Sequence, residues 1–142
     1  MLGTYDPKTV NAVFAGVPIL GYADGTFLSA EQNNESFSLT VGAMGDGCRA
    51  KSNDKSARFT FTLLQSSITN DLLSAKHNAD VLDPLGVVAV GPFMVKDNSG
   101  RTVISAAQAW IVKQPAATFG KEVETREWII ETDNAEIFVG GN

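Results

Sequence analysis

Two short runs in this chain alternate with a strict period of two, and they constrain its fold more than any other feature. In "SFSLTV", Phe37, Leu39 and Val41 fall on one parity and Ser36, Ser38 and Thr40 on the other. In "RFTFTL", Phe59, Phe61 and Leu63 alternate with Arg58, Thr60 and Thr62. Successive side chains of a strand point to opposite faces, so this pattern predicts two strands, each with one core face and one wetter face. Between them lies a polar stretch, 42–57, with three glycines and five charged residues. It reads as a long inter-strand loop over about 43–57. Compact domains usually connect strands with far fewer residues, so the length itself asks for an explanation.

The rest of the chain reads mostly as strand. "NAVFAGVPI" carries apolar residues on both parities and Pro18, which predicts one kinked or edge strand. "GYADGTFLS" centres on Asp24-Gly25, a dipeptide suited to a tight hairpin. "SSITNDLLSAKHNAD" breaks the alternation. Ser, Thr and Asn supply cap candidates, Asp71 falls in the first turn, and Ile68, Leu72 and Leu73 share a face. This predicts one helix over about 70–78, with His77 at its end. "DVLDPLG" reads as a connector broken by Pro84 and Gly86. "VVAVGPFMVK" and "RTVISAAQAWIVK" flank "DNSG", which suits a type I turn with Gly100 in the left-handed position after it. "KEVETREWIIETD" and "AEIFVGGN" close the chain as strands. The sum is a mainly β domain spanning 1–142, a β-sandwich or barrel with one flanking α-helix. The 142 residues suffice for one core, and 44% apolar with 19% charged residues is ordinary for a folded chain.

The charge balance excludes some functions. A formal net charge of −5 argues against holding a phosphate backbone, which needs clustered Lys and Arg. Arg49, Lys51, Lys55 and Arg58 come nearest to a basic patch, but Asp46 and Asp54 interrupt them. No apolar run approaches the roughly 20 residues of a membrane span, and "MLGTYDPKTV" does not read as a secretory signal. The expectation is a soluble protein without membrane insertion. Cys48 is the one cysteine, so no internal disulfide can form.

Catalytic chemistry finds little to stand on. His77 is the one histidine, and with Cys48 it cannot build a tetrahedral zinc site. Glu122 and Glu124, read as sharing a strand face, could pair as acid and base, but Lys121 and Arg126 among them favour a solvated charged face. Trp110, Trp128, Tyr5 and Tyr22 are the residues that could form a sugar-binding platform, and both tryptophans lie in apolar runs that favour the core. No phosphate-cradling glycine loop and no calcium loop appears. The expectation is a non-enzymatic protein with no catalytic, metal or cofactor site. A polar excursion that buries nothing in its own chain suits assembly, where a neighbour orders it.

Taken together, "YDPKTVNAVFAGVPILGYADGTFLSAEQNNESFSLTVGA", "SNDKSARFTFTLLQSS", "TNDLLSAKHNAD", "GPFMVKDNSGRTVISAAQAWI" and "FGKEVETREWIIETDNAEIFVGGN" resemble the tail tube proteins of contractile-tailed bacteriophages. The similarity covers nearly the whole chain and is weakest over 81–90 and mid-loop. It implies a ring-forming, tail-tube-like β fold. Hexameric rings would pair strand edges into an inner barrel and stack into a hollow tube in the virion, assembled in the bacterial cytoplasm. Implied partners are further copies of the chain, the sheath, the baseplate or tail initiator and the tape measure protein, with DNA passing through the lumen unbound. Under that resemblance Met44, Asp46, Arg49, Lys51, Asp54 and Lys55 are candidate inter-ring contacts. Glu122, Glu124 and Glu127 are candidate charges near the lumen or ring interface, where carboxylates would repel DNA. A tailocin or injection-device tube and a monomeric carbohydrate- or cell-surface-binding module are the alternatives.

Overall fold

The computed structural model describes residues 2–141. The strands are β1 (Val10–Phe14), β2 (Val17–Pro18), β3 (Leu28–Gln32), β4 (Phe37–Val41), β5 (Gly47–Lys51), β6 (Ala57–Leu64), β7 (Gly91–Asp97), β8 (Val103–Lys113), β9 (Thr125–Thr132) and β10 (Ala135–Phe138), with a helix α1 (Ile68–Leu82) between β6 and β7. The main sheet runs β2-β1-β7-β8-β9-β6-β3, with β10 also on β8, and β4 and β5 form a separate two-stranded sheet. All pairings between these strands are antiparallel. Among the described residues no helix is long and apolar enough to cross a membrane.

The alternation in "RFTFTL" does what it predicts. Phe59, Phe61 and Leu63 are buried, while Arg58 is exposed and Thr60 and Thr62 are half-buried. The Phe59 ring stacks 4.6 Å from Phe93 of β7, and Phe61 and Phe14 lie 6.4 and 6.5 Å from the same ring. Because β6 and β7 are not sheet neighbours, these contacts cross the core: the sheet curls until its two halves face each other, with Trp128 and Ile130 of β9 buried between them. It does not close into a barrel. β2 is two residues long and pairs only with β1, and β3 pairs only with β6, so both stay as edges. The architecture is the sandwich alternative of the expected fold.

A bulge shapes the long strand β8. Its pairing with β7 steps from Ala106↔Phe93 to Ala109↔Gly91, so one extra β8 residue is accommodated. The buried parity switches there from Ile104 and Ala106 to Ala109 and Ile111. The first half of β8 then bonds β10 and the second half β9. The switch leaves Trp110 half-buried on the opposite face, so of the two tryptophans only Trp128 is in the core.

Several local expectations are corrected. "NAVFAGVPI" is a hairpin, not one kinked strand: Ala15 (φ 48°) and Gly16 (φ 84°) both adopt positive φ, the pattern of a type I′ turn, and β2 folds back on β1. Asp24-Gly25 is not a hairpin. Ala23 N–H donates to the Thr62 carbonyl and Thr62 N–H donates to the Phe27 carbonyl, so 24–26 loop out of one run along the edge of β6. The β7–β8 hairpin forms through the Asp97–Gly100 turn, with Gly100 N–H on the Asp97 carbonyl at 3.2 Å. Gly100, however, is not among the positive-φ residues of the described chain.

The helix is longer than 70–78. Ser67 caps its start, its Oγ accepting from Thr69 N–H, and it ends at Leu82 because Pro84 disfavours helical geometry at Asp83. His77 therefore lies in the helix interior, half-buried, rather than at the end. Leu73 and Thr69 are the buried contacts of α1. Trp128 Nε1 donates to Asn70 Oδ1 at 2.9 Å, which ties the helix to the centre of the sandwich.

Candidate assembly surfaces

The polar stretch at 42–57 is not one long loop. Gly47–Lys51 forms β5, which pairs with β4 in register: Phe37↔Lys51, Leu39↔Arg49 and Val41↔Gly47 on one face, Ser38↔Ala50 and Thr40↔Cys48 on the other. The turn at the tip is closed by Gly42 N–H to the Asp46 carbonyl at 2.8 Å, with Gly45 at φ 92°. Glycine is needed there because a side chain would be strained in the left-handed region.

The core face predicted for "SFSLTV" is exposed. Phe37, Leu39 and Val41 are 46, 69 and 57% accessible, and Met44 at the tip is 91% accessible. The pattern did make a strand with an apolar face, but none of the described residues covers that face. Arg49 lies over the Phe37 ring at 4.2 Å, so the face is apolar with a cationic border.

The hairpin stands on an ordered neck. Asn33 N–H donates to the Ser56 carbonyl, and Ser52 N–H to the Ser36 carbonyl. Asp54 accepts from the Asn34 amide and from Ser56 N–H. Hydrogen bonds from Ser56, side chain and backbone, and from Asn34 hold the Asp54 carboxyl below its ordinary range. The six candidate contact residues thus divide by place. Met44 and Asp46 are at the tip, Arg49 and Lys51 border the apolar face, and Asp54 and Lys55 are in the neck, where the Lys55 carbonyl accepts from Ala135 N–H.

The three candidate lumen or interface carboxylates do not share one strand. Glu122 and Glu124 precede β9, and only Glu127 is on it, outward and opposite Thr62. The loop position of Glu124 is fixed by its backbone, which exchanges hydrogen bonds with Gln65. The expected strand face joining Glu122 to Glu124 is therefore absent. On β9 the paired carboxylate is Glu131, opposite Arg58 and in an ion pair with it. The aromatic platform is likewise dispersed: Trp128 is buried, Trp110 and Tyr22 half-buried, and Tyr5 exposed. Burial pushes the Tyr22 hydroxyl up to about 12, and it stays a neutral phenol. Cys48 is a free thiol on the polar face of the hairpin, and His77 belongs to a different element, α1.

A second surface was read from sequence only as a connector. The last turn of α1 and the segment to β7 expose Val81 (68%), Leu82 (81%), Leu85 (81%), Val87 (57%) and Val88 (61%). Their backbone is fixed from within. Asp83 Oδ1 accepts from Leu85 N–H at 3.1 Å, and Oδ2 accepts from Val87 and Val88 N–H at 3.2 and 3.1 Å. Asp80 Oδ1 accepts from Ala89 N–H at 3.3 Å. These amides, Leu85 first and then Val87, hold the Asp83 carboxyl below its ordinary range. With the backbone satisfied internally, the segment presents apolar side chains to solvent. The apolar residues of "VLDPLGVVAV" carry this signal in the sequence, where Pro84 and Gly86 mark only the turn that displays them.

A sandwich with open strand edges, a projecting amphipathic hairpin and two uncovered apolar surfaces is the build of an assembly subunit. The chain belongs to the bacteriophage PhiTE tail tube protein family, whose profile matches residues 6–140. It is 30% identical over 145 residues to structural protein ORF10 of Pseudomonas phage KPP10, covering 98% of this chain and 83% of that one. The family is structural, a tail component of the virion rather than an enzyme. The fold is similar to that of the anti-feeding prophage cap that terminates the tube (TM-score 0.61, 9% identity, 97% of this chain and 93% of that). It is similar also to two parts of an extracellular contractile injection system. These are the sheath/tube terminator (TM-score 0.59, 8% identity, 96% and 97%) and the sheath–tube complex (TM-score 0.57, 10% identity, 95% and 91%), both extended.

Proposed function

We infer that this chain forms hexameric rings that stack into the hollow inner tube of a contractile phage tail, through which DNA is delivered. The observation that carries this reading is the β4–β5 hairpin, an ordered element whose apolar face is left uncovered by the described residues. Exposing such a face to water is unfavourable unless a partner removes it. Within a ring, the free edges of β3 and β10 offer unpaired backbone groups to a neighbour, and pairing them removes an aggregation hazard. Between rings, the hairpin residues Met44, Asp46, Arg49 and Lys51 reach the next layer, while Asp54 and Lys55 hold the neck. Glu122, Glu124 and Glu127 supply negative charge at the lumen or ring interface, which would let DNA slide. The sheath, the baseplate or tail initiator and the tape measure protein are the partners such a tube requires, and assembly takes place in the host cytoplasm before the virion is complete.

Negative-stain electron microscopy of the purified, concentrated chain tests this. Hollow rings or striated tubes are the expected result. Particles that stay monomeric at the highest attainable concentration, and also when the baseplate or tail initiator that would nucleate the tube is added, overturn it. The fold shared with injection-system tube parts supports one second reading, a tube subunit of a phage-like injection device. In that case the same rings form and the lumen carries a different cargo.

A further inference from the structure

We propose that the apolar face of the β4–β5 hairpin docks on the last turn of α1 and the α1–β7 segment of a second copy of this chain. The proposal rests on the tube-subunit reading and names the surface that receives the hairpin. Both surfaces are apolar and uncovered: Phe37, Leu39 and Val41 on one, Leu82, Leu85, Val87 and Val88 on the other. Both are also ordered in advance, the hairpin by its neck and ladder and the receiver by the Asp80 and Asp83 carboxylates. Little conformational entropy is then lost on docking.

Charge selects this pairing over others. The apolar face of the hairpin is bordered by Arg49 and Lys51. The receiving surface carries Asp80 and Asp83 at the C-terminus of a helix, where the dipole is negative and the last turn holds no basic residue. Lys76, one turn earlier, makes no ion pair among the described residues. Two other exposed apolar pairs are mixed in sign. Phe119 and Val123 sit among Lys121, Glu122, Glu124 and Arg126, with the Arg126 guanidinium 5.3 Å from the Phe119 ring. Phe138 and Val139 lie between Glu136 and Gly141, whose neighbour is Arg101. A cationic apolar face matches one whose nearest charges, Asp80 and Asp83, are acidic better than a mixed one. The two surfaces are unlike, so the contact is head-to-tail: each copy gives a hairpin and receives one, and between stacked rings the contact repeats from layer to layer.

The test places a photocrosslinking benzophenone amino acid at Leu39 in the full chain and irradiates a mixture of isotope-labelled and unlabelled protein. Expected are crosslinks joining labelled to unlabelled chains at residues 80–88. Assembled rings or tubes whose crosslinks fall elsewhere overturn the docking and leave the tube reading standing. Absence of any assembled species, with the baseplate or tail initiator also present, overturns both. As a second measurement, R49E/K51E is expected to lower the yield of that crosslink by roughly tenfold or more, since like charges would then face each other. An undiminished yield in a variant with unchanged circular dichroism overturns the proposal. If the variant does not fold, the crosslink map of the otherwise unchanged chain decides alone.

Discussion

Thr69 is buried in the first turn of α1, and its hydroxyl joins the helix to the end of β2 and to Leu20 just beyond it. Oγ1 accepts from Leu20 N–H at 3.1 Å and donates to the Pro18 carbonyl at 3.2 Å. Thr69→Val keeps the shape and removes both bonds. It is expected to cost about 1–3 kcal/mol in urea denaturation, the range for stranding buried polar groups. Thr69→Ser keeps the hydroxyl and loses a methyl, for about 1 kcal/mol or less. Equal losses in the two variants would mean that packing, not the hydroxyl, fixes the helix. Asp83 gives a residue-scale prediction in pH. Its carboxyl is held below its ordinary 3.8 by N–H donors, so the charged form is favoured in the folded chain. The sign follows from linkage: this contribution is complete above 3.8 and is lost as pH falls through the depressed value. In a ¹H–¹⁵N titration the Leu85, Val87 and Val88 amides are expected to hold position down to about that pH and then shift together. Asp83→Asn is expected to perturb the same amides at neutral pH. Amides that move independently of one another would show that Asp83 does not organise the segment.

At the scale of elements, the hairpin and the sandwich are separable. β4 and β5 pair only with each other, and none of their residues belongs to the core cluster. Replacing Phe37–Lys51 by a two-residue Asn-Gly turn is therefore expected to leave the melting temperature within a few degrees of the parent while abolishing tube formation. A large loss of stability would show instead that the hairpin helps hold the fold. The same separation explains what was legible in the sequence. Alternation identified both "SFSLTV" and "RFTFTL" as strands with an apolar face, and Phe59, Phe61 and Leu63 are in the core as that pattern implies. Alternation reports that a strand has two unlike faces; it does not report which chain supplies the cover. For Phe37, Leu39 and Val41 none of the described residues supplies the cover, so the apolar face points outward there. β5 escaped notice because "GCRAK" has no alternation of its own and is a strand only by pairing with β4. The start of β9 is set by its partner, since Thr125 pairs with Leu64 at the end of β6, and this leaves Glu122 and Glu124 outside the strand. The receiving surface depends on three backbone amides converging on one carboxylate, a contact between residues that periodicity does not report.

For the whole molecule, the geometry of the proposed contact makes a prediction that no single variant can make. A head-to-tail contact uses two different surfaces, so they can be disabled separately. One variant lacks the hairpin and keeps its receiver; the other, L85D/V87D, keeps the hairpin and has a blocked receiver. Leu85 and Val87 are both exposed, so these substitutions place charge at the surface and not in the core. Each variant alone keeps the β3 and β10 edges through which the proposed ring would close, but under the proposal neither can stack on itself. Mixed in equal amounts after ring closure, the hairpins of the second enter the receivers of the first. Growth then stops, because the far side of each ring carries the disabled surface. The expected products are single rings from either variant alone and paired rings, no longer, from the mixture, resolved by sedimentation velocity and electron microscopy. If the hairpin instead met its own copy across a two-fold axis, the L85D/V87D rings would pair by themselves and mixing would add nothing. Full-length tubes from L85D/V87D alone would place the hairpin's landing surface elsewhere on the chain. The mixture thus separates a polar, unlimited stack from a closed pair using only surfaces that the core does not need.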